Sequence, residues 1–510
     1  MFKALYKIVF SRLFALGLLI AFQLFWVIYL IVYLGNYSPY ISLAVRVIAF
    51  IIVFVLLGVN MDAGFKMSWI IFILTAPIIG VGLFIMLGNS RHLNLRIRKN
   101  TRLIEETSRL YYDNIDHSNQ ELGCEVIKKE VSYLKNNFFA AYRETAAEFY
   151  PSGEAFKEAL LDELRAAKNF IFLEYFIIKE GEFWTDILTI LKQKAEEGLD
   201  VRVIYDDFGC AMTLKRRYNL ELERFGIKTV VFNKLTPFFS TQLHNRDHRK
   251  IAIIDGDVGF TGGVNIGDEY VNVEQKFGHW KDSAVKLIGP GVWGLTVMFL
   301  QSWNIHRRED DDYEIYRPSP RLKAPLKESG LVIPYGSTPL NHEAIGRNVY
   351  VNMINQAKKY IYATTPYLIL DNETRDSLVL AAKNGIDVRI ITPSNPDKKI
   401  VNFLTKDNYR SLLEAGVKIY EYSPGFIHAK QMIVDDVISS IGTVNLDYRS
   451  FYHHFECGTL LANNLTVIDM RNDFLKTLEN CKRIKKEDAE HHNIFKWFIV
   501  LVLRLVSPLM

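Results

Sequence analysis

Cysteine is scarce in this sequence, and neither sign of charge is in large excess. The four cysteines among the 510 residues, Cys124, Cys210, Cys457 and Cys481, lie far apart. Zinc sites and disulfide frameworks need closely spaced cysteines, so neither is predicted and all four are interpreted as reduced thiols. Lysine and arginine total 61 against 57 acidic residues, which leaves a formal net charge of +4. This balance is too even to indicate a protein that binds nucleic acid.

The length and composition indicate a folded protein of several domains. A chain of 510 residues is long enough for roughly three domains of ordinary size with at least one large core. Apolar residues make up 49% and charged residues 23% of the chain. These fractions are close to globular averages and exclude wholesale disorder.

Three apolar segments within residues 1–90 predict a transmembrane region of two or three spans. Residues 13–34 and 67–87 contain no charged side chain and are long enough for a helix to cross the hydrocarbon core. Residues 41–59 are also apolar but include Arg46, which must be paired or reach the interface if this segment spans.

Basic residues flank the apolar region on both sides. They are Lys3, Lys7 and Arg12 before it, and Arg91, Arg96, Arg98, Lys99 and Arg102 after it. Basic residues are enriched on the cytoplasmic side of membrane proteins, which would put both flanks in the cytoplasm. Three spans would put the two flanks on opposite sides, so they cannot satisfy this rule. Either one segment is re-entrant or interfacial, or the N-terminal tail lies outside. The second cluster carries more weight and would attract anionic lipids of the bilayer. We therefore predict a multi-pass protein of the cell membrane with its large remaining part in the cytoplasm.

An α/β pattern occurs twice in the rest of the chain. The strand, helix and strand patterns of residues 170–204 recur over residues 360–391. We therefore predict an α/β protein with two tandem mixed-sheet units in a pseudo-twofold arrangement and one shared site. The predicted regions are a transmembrane region at 1–90, a basic helical linker at 91–146, domains at 147–330 and 331–486, and an apolar interfacial or docking helix at 487–510.

One motif is present in both units. In each, a lysine follows a histidine by two residues, an aspartate by seven and an asparagine by 17. The two sets are His248, Lys250, Asp255 and Asn265 in the first unit, and His428, Lys430, Asp435 and Asn445 in the second. Fixed spacing of this kind, met twice, is a strong indication of a functional site.

Strand geometry indicates the chemistry of this site. Residues i and i+2 of a strand share a face, so each histidine points the same way as its lysine. Asp255 and Asp435 fall on the opposite face and are expected to have supporting or structural roles. Two facing copies would gather two imidazoles, two ammonium groups and two amides around one phosphodiester. One imidazole can attack phosphorus while the other protonates the leaving alcohol, with neither metal nor cofactor.

These motifs resemble those of the phospholipase D superfamily, and the chain is similar to the bacterial cardiolipin synthases from its apolar segments to its C-terminus. The segments that carry the resemblance include Trp69, Pro77 and Gly80, and residues 245–251, 263–270, 280–282, 365–367, 425–430 and 442–450. The chain departs from the family pattern in its third apolar segment. It also has His453 and His454 where such enzymes more often have an apolar residue and asparagine.

The resemblance implies a reaction between two phosphatidylglycerol molecules that gives cardiolipin and glycerol through a phosphohistidine. It implies His248 as nucleophile, His428 as general acid, and Asp282 and Glu456 as the acidic residues that orient the imidazoles. The candidate catalytic residues are thus His248, Lys250, Asp255, His428, Lys430 and Asp435, and the candidate phosphate-binding residues are Lys250, Asn265, Lys430 and Asn445. Glu174, Asp206 and Asp207 are interpreted as strand-end carboxylates.

The residues alone do not choose the acceptor of the phosphatidyl group. A phospholipase D hydrolase or a phosphatidylserine synthase-type transferase would use the same side chains. A nuclease is disfavoured, because it gains nothing from a membrane region and would need a more basic soluble part. A membrane scaffold without activity would not need both histidine–lysine pairs. The sequence gives no indication of the oligomeric state.

Overall fold

The structure is a computed structural model. It describes residues 39–59, 62–87, 104–111, 124–235, 245–307, 311–319, 330–341, 343–489 and 500–505, with isolated positions at 17–19, 21, 22, 25, 26, 29, 33, 102 and 309.

Three apolar helices come first in the described chain: α1 (Pro39–Gly58), α2 (Ala63–Thr75) and α3 (Pro77–Leu87). The segment 67–87, predicted as one span, is instead shared by two helices. α2 ends at Ala76, whose φ of −136° and ψ of 68° are not helical, and Pro77 begins α3. Proline lacks an N–H and clashes with the preceding turn, so it begins a helix more readily than it continues one.

α2 and α3 pack against each other as a hairpin. The rings of Trp69 and Phe84 meet edge to face with centroids 5.2 Å apart. Nearer the bend, a Cβ on Gly80 would lie 2.6 Å from Cα of Ile73. This approach requires glycine, because any side chain there would overlap the backbone of α2.

The membrane predictions meet the structure only in part. Judged by length and apolarity together, no helix within the described residues qualifies as a membrane span. Most of the predicted span at 13–34, and all of the basic flanks except Arg102, lie outside the described residues. Of the predicted C-terminal segment 487–510, residues 487–489 and 500–505 are described, and residues 500–505 are helical. Arg504 there forms an ion pair with Asp407, which is a docking contact.

The first half is a mixed sheet flanked by helices. Its strands are β1 (Ala146–Tyr150), β2 (Phe170–Tyr175), β3 (Asp200–Asp206), β4 (Lys228–Phe232), β5 (Lys250–Ile254), β6 (Val258–Gly262), β7 (His279–Lys281) and β8 (Ala284–Ile288). Its helices are α4 (Glu125–Asn136), α5 (Gly153–Ala166), α6 (Glu182–Glu196), α7 (Tyr218–Arg224) and α8 (Val292–Arg307). Within the described residues, seven strands form a sheet in the order β1-β8-β6-β5-β2-β3-β4. Ser152 begins α5 by accepting the N–H of Ala155 at 3.3 Å, a typical N-cap.

The second half repeats this plan. Its strands are β9 (Leu331–Ser337), β10 (Tyr360–Thr364), β11 (Leu368–Ile369), β12 (Asp387–Pro393), β13 (Lys418–Tyr422), β14 (Gly425–Ile427), β15 (Gln431–Val434), β16 (Ile438–Gly442), β17 (Leu446–Asp447), β18 (Glu456–Ala462) and β19 (Cys481–Arg483). Its helices are α9 (Ile345–Gln356), α10 (Asn372–Lys383), α11 (Lys399–Ala415), α12 (Tyr448–Tyr452) and α13 (Thr466–Leu478). Among the described residues its sheet has eight strands in the order β9-β18-β16-β15-β10-β12-β13-β19.

The two sheets have the same strand order, with β19 added at one edge of the second. The prediction of a mixed α/β fold is therefore confirmed. β1 begins at Ala146 and β9 at Leu331, beside the predicted domain starts at 147 and 331. The domain boundaries themselves stay a prediction.

Helix α8 joins the two halves through one hydrophobic core. Its residues from Val292 to Asn304 are all buried, as expected of a helix that is apolar on every side. It packs against β4 and β5 of the first sheet and β9 of the second. Phe299 of α8 stacks on Phe172 with ring centroids 4.6 Å apart. Because the core is continuous across the halves, the interface between them is held in place.

Candidate active site

Two reciprocal backbone contacts bring the motif histidines to the interface between the halves. β14 of the second half pairs in parallel with β7 of the first, and Asp247 forms a parallel bridge with Phe455. The N–H of His248 donates to the carbonyl of Phe455 at 2.8 Å, and that of His428 to the carbonyl of Lys281 at 2.7 Å. Each histidine is therefore positioned by the backbone of the other half.

Two carboxylates cross the same interface. Nδ1 of His248 lies 2.9 Å from Oε2 of Glu456, and Nδ1 of His428 lies 2.7 Å from Oδ2 of Asp282. All four side chains are buried. A carboxylate on Nδ1 fixes the orientation of an imidazole and leaves Nε2 for the reacting atom. The structure thus brings the predicted orienting residues to the imidazoles, each from the half opposite to its histidine.

Gly263 and Thr443 occupy matching positions and support these carboxylates in different ways. A Cβ on Gly263 would lie 2.0 Å from Oδ1 of Asp282, so the short aspartate side chain reaches His428 only past a glycine. The hydroxyl of Thr443 instead donates to Oε2 of Glu456. The longer side chain of Glu456 is therefore held in place by a hydrogen bond, whereas Asp282 depends on the space left by a glycine.

Both motif lysines are buried beside their histidines, on the shared face that strand periodicity predicts. Nζ of Lys250 donates to the carbonyl of His248 at 2.7 Å, and Nζ of Lys430 makes the matching bond to the carbonyl of His428. An ammonium group has three donors. One bond to a carbonyl leaves two for the oxygens of a bound anion.

The two asparagines stand at the turn after each motif. Oδ1 of Asn265 accepts the N–H of Ile177 at 3.2 Å, and Nδ2 of Asn445 donates to Asp447 at 3.1 Å. Both asparagines are buried. The side chain of Asn265 also makes a hydrogen bond with Tyr270, and the phosphate-binding role of both asparagines stays a prediction.

Asp255 and Asp435 stand at the far ends of the strands that follow the histidines. The carboxylate of Asp435 accepts the backbone N–H groups of Lys358, Lys359 and Tyr360 at 2.6 to 2.8 Å. Asp255 makes the equivalent three bonds to residues 168–170. Their grouping with the catalytic residues is therefore corrected. They fasten one strand end to the next, which is the structural role that strand parity indicates.

Burial and mutual repulsion shift the pKa values of the central groups. Burial, followed by the charges of Lys250 and Lys430, lowers the pKa of His248 well below its usual value, and the charge of His428 adds to this. Burial lowers the pKa of His428 to about 4, that of Lys430 to about 7 and that of Lys250 to about 8. The two imidazoles and two ammonium groups therefore share one electrostatic environment, which favours an anion among them.

Aromatic rings enclose the two imidazoles. Trp280 and Tyr270 lie 5.3 and 5.5 Å from the ring of His428, and Phe176 lies 5.1 Å from that of His248. Such walls exclude water and strengthen electrostatic interactions inside the site. Sequence reasoning gave these residues no role in the site: Tyr270 and Trp280 were noted only within segments that carry the family resemblance, and Phe176 only within a buried-strand pattern.

His454 was noted in the sequence only as a departure from the family pattern. Its ring is buried and lies 5.2 Å, centroid to centroid, from that of His248. His248, His454 and Glu456 together place one ligand atom each within 4.8 Å of one another. They are a set that could hold a metal ion.

Three further carboxylates near the site have structural partners, as predicted for strand-end residues. Asp206 accepts the N–H groups of Phe208 and Asp247 at 2.8 and 3.1 Å, and Asp207 accepts that of Leu235 at 2.6 Å. Glu174 is fully buried with Arg249 at 3.6 Å. These contacts are with backbone N–H groups and an arginine, not with a motif imidazole.

Comparison with known proteins agrees with this geometry. Residues 160–278 and 350–478 match the family described as cardiolipin synthase, PLD-like domain. A cardiolipin synthase of Halalkalibacterium halodurans is 34% identical over 453 residues, which cover 87% of this chain and 88% of that protein. An uncharacterized protein of Streptococcus mutans is 42% identical over 462 residues, covering 89% of this chain and 98% of that protein. The phosphatidylserine synthase of Haemophilus influenzae shares the fold, with a TM-score of 0.55 at 17% identity over 74% of this chain and 98% of that one.

Two like sheets with a histidine–lysine pair at their interface define the phospholipase D class of protein. Within that class, the chain belongs to the cardiolipin synthase family and is a phosphatidyltransferase.

Proposed function

We propose that this chain makes cardiolipin and glycerol from two phosphatidylglycerol molecules through a phosphohistidine. Nε2 of His248 attacks phosphorus, the bond from phosphorus to the glycerol oxygen breaks, and His428 gives that oxygen its proton. The headgroup hydroxyl of the second phosphatidylglycerol then attacks the phosphohistidine, passes its proton to His428 and breaks the phosphorus–nitrogen bond. The observation that carries this proposal is the pair of imidazoles, each with Nδ1 on a carboxylate of the other half.

The charges around the two imidazoles support this division of roles. Burial alone would raise the pKa of Asp282, but the charge and hydrogen bond of His428 hold it below its usual value. Asp282 therefore stays ionised and stabilises the imidazolium that a general acid must form. Burial and the lysines keep His248 neutral, as a nucleophile requires. A bound phosphodiester anion raises the pKa of His428 and so helps to load its proton.

The lysines and asparagines complete the proposed site. Lys250 and Lys430 would neutralise the nonbridging oxygens while charge develops at phosphorus, and the amides of Asn265 and Asn445 would add donors. These groups supply the stabilisation that phosphoryl transfer needs. The proposed reaction therefore proceeds without a metal ion or a cofactor.

Products formed in phosphatidylglycerol vesicles test the function directly. Purified full-length protein in such vesicles should yield cardiolipin and glycerol by mass spectrometry, and His428→Gln should yield no cardiolipin and release glycerol for no more than a single slow turnover. Phosphatidic acid as the main product would indicate a hydrolase, and phosphatidylserine on addition of serine would indicate a different acceptor. Absence of any product from folded protein would leave a scaffold as the function.

We also propose that the N-terminal region holds the site against the cytoplasmic face of the cell membrane. The hairpin of 13 and 11 residues formed by α2 and α3 favours the re-entrant alternative, since helices of about 16 to 20 Å do not cross a core of about 30 Å. Preceded by spans at 13–34 and 41–59, a re-entrant hairpin would leave both basic flanks in the cytoplasm, which agrees with the positive-inside rule.

Contacts at the start of α2 support this placement. Phe65 packs its ring against Tyr448, Tyr452 and His453, with centroids 6.0, 5.7 and 5.1 Å away. These residues belong to α12 and its end, directly after the second motif. A membrane-embedded hairpin would thus hold the site close to lipid headgroups.

A further inference from the structure

His454 has no part in the proposed reaction, yet it is buried at the centre of the site with 7% of its surface exposed. Among the described residues, neither of its ring nitrogens has a hydrogen-bond partner. Nδ1 lies 3.4 Å from Oε1 of Glu456, within the distance of an ion pair. Buried polar atoms are nearly always paired, so an unpaired imidazole needs an explanation.

The neighbours of His454 supply two more ligand atoms. Nδ1 of His248 lies 2.9 and 3.0 Å from the two oxygens of Glu456. Bonds of about 2.0 to 2.2 Å to a tetrahedral zinc ion place its ligand atoms roughly 3.3 to 3.6 Å apart. Glu456 lies 2.9 Å from Nδ1 of His248 and 3.4 Å from Nδ1 of His454, and all three ligand atoms lie within 4.8 Å of one another, so side-chain rotations can bring them to this spacing.

Support around these ligands is already in place. Thr443 donates to Glu456, and the backbone N–H of His248 is held by Phe455. Hydrogen bonds of this kind, outside the ligands, orient the ligands of metal sites. His454 lies next in the chain to Phe455, at a position where the related enzymes more often have asparagine.

We infer that His248, His454 and Glu456 form a binding site for a divalent transition metal ion such as Zn²⁺. Two imidazoles and one carboxylate favour zinc, cobalt or nickel over magnesium and calcium, which prefer sets of oxygen ligands. A metal ion bound through Nδ1 of His248 selects the tautomer that carries its proton on Nε2, the nitrogen that must attack phosphorus, and it competes for the carboxylate of Glu456. Metal binding consequently inhibits the enzyme, and this second part rests on the proposed role of His248.

Equilibrium dialysis of the purified full-length protein against Zn²⁺ tests the binding without using activity. The wild type should retain one ion per chain in the presence of excess Mg²⁺, and bound Co²⁺ should show the visible absorption of a low-coordinate site with imidazole ligands. His454→Asn should bind Zn²⁺ at least 10- to 100-fold more weakly. The matched control is His453→Asn, because His453 faces Phe65 and should keep wild-type binding.

Inhibition is then measured as the zinc concentration that halves each variant's own metal-free activity. This concentration should rise at least 10-fold in His454→Asn and stay unchanged in His453→Asn. Equal zinc binding by both variants, or displacement of Zn²⁺ by Mg²⁺, overturns the metal site. If zinc binds as expected but does not inhibit, the metal site stands. The proposed inhibition and the nucleophilic role of His248 are then both contradicted. If His454→Asn does not fold, the Co²⁺ spectrum of the wild type decides alone, since a spectrum of oxygen ligands only contradicts the inference.

Discussion

At the scale of single residues, the lysines set the conditions under which the site can bind an anion. Lys430 is 1% exposed, and its Nζ donates to the carbonyl of His428. A buried ammonium group stabilises a phosphodiester more than an exposed one does, because little water competes. The same burial lowers the pKa of Lys430, so the fraction of Lys430 that carries a positive charge depends on pH near neutrality.

Removing the charge of Lys430 should therefore nearly abolish the reaction. Lys430→Met keeps most of the side chain's bulk, and loss of one such donor should lower kcat by about two to three orders of magnitude. The measurement is cardiolipin formation in phosphatidylglycerol vesicles after exhaustive chelation, where the wild type should remain active. Near-normal activity of Lys430→Met, together with strong dependence on added Mg²⁺, would mean that the anion-binding groups are assigned wrongly.

The pH dependence of kcat/KM should show an alkaline decline well below the usual pKa of lysine. Burial lowers the pKa of Lys430 to about 7, so the proton is present below this pH and is lost as the pH rises through it. kcat/KM reports ionisations of the free enzyme and should fall above about pH 7 to 8. Lys430→Arg, which keeps its charge at any accessible pH, should move the decline upward. An unchanged decline in that variant would assign it to another group.

A trapped intermediate distinguishes the two imidazoles. Brief incubation with phosphatidylglycerol labelled in the phosphatidyl group, followed by an alkaline quench, should leave label on the protein in the wild type and in His428→Gln. His248→Gln should carry none, because it lacks the attacking Nε2. The opposite pattern, with label in His248→Gln only, would exchange the roles of His248 and His428.

At the scale of elements, each motif strand is anchored at the end away from its histidine. The Asp435 carboxylate joins the end of β15 to the start of β10 through three backbone N–H groups. Its own φ of +55° lies in the left-handed region, which aspartate and asparagine tolerate better than most residues. The tight turn and the anchoring bonds thus come from one side chain.

Asp435→Asn should destabilise the fold without stopping the reaction. Asparagine keeps the shape and the backbone conformation but weakens bonds that depend on a full negative charge, at a cost of about 2 kcal/mol. The melting temperature in detergent should fall, while kcat stays within about tenfold of wild type. Asp282→Asn is the matched comparison: its activity should fall far more than that of Asp435→Asn, and its melting temperature should fall less. A collapse of kcat in folded Asp435→Asn would return Asp435 to the catalytic residues.

What the sequence could predict depended on how far apart the interacting residues lie in the chain. The pairing of His248 with Lys250 follows from the period of a strand. The break at Pro77 was missed, because residues 67–87 were interpreted as one span from their apolarity and length. The pairing of His248 with Glu456 joins residues 208 positions apart. Spacing within one motif carries no information on which half supplies the carboxylate, so this exchange needed the structure.

At the scale of the whole molecule, duplication explains why the site lies where it does. α8 fixes the two sheets to one core, and each half lends backbone and carboxylate to the histidine of the other. Neither half alone therefore holds a complete orienting set. Phe65 of α2 packs against Tyr452 of the second half and so attaches the hairpin of α2 and α3 to this assembly. In the membrane arrangement proposed above, the path of the chain would therefore determine which side the site faces.

A re-entrant hairpin should keep both of its ends on the cytoplasmic side and close together. We expect Ala63→Cys and Ile85→Cys, made in a background with the four native cysteines replaced, to react with a membrane-impermeant maleimide in inside-out vesicles and not in intact cells. Spin labels at the two positions should lie within about 20 Å, whereas a continuous helix would separate residues 22 positions apart by about 33 Å. Thr75→Cys, at the bend, should be protected from both sides. Labelling of Ala63→Cys and Ile85→Cys from opposite sides would show instead that this segment crosses the membrane, and the N-terminal tail would then have to lie outside the cell despite its three basic residues.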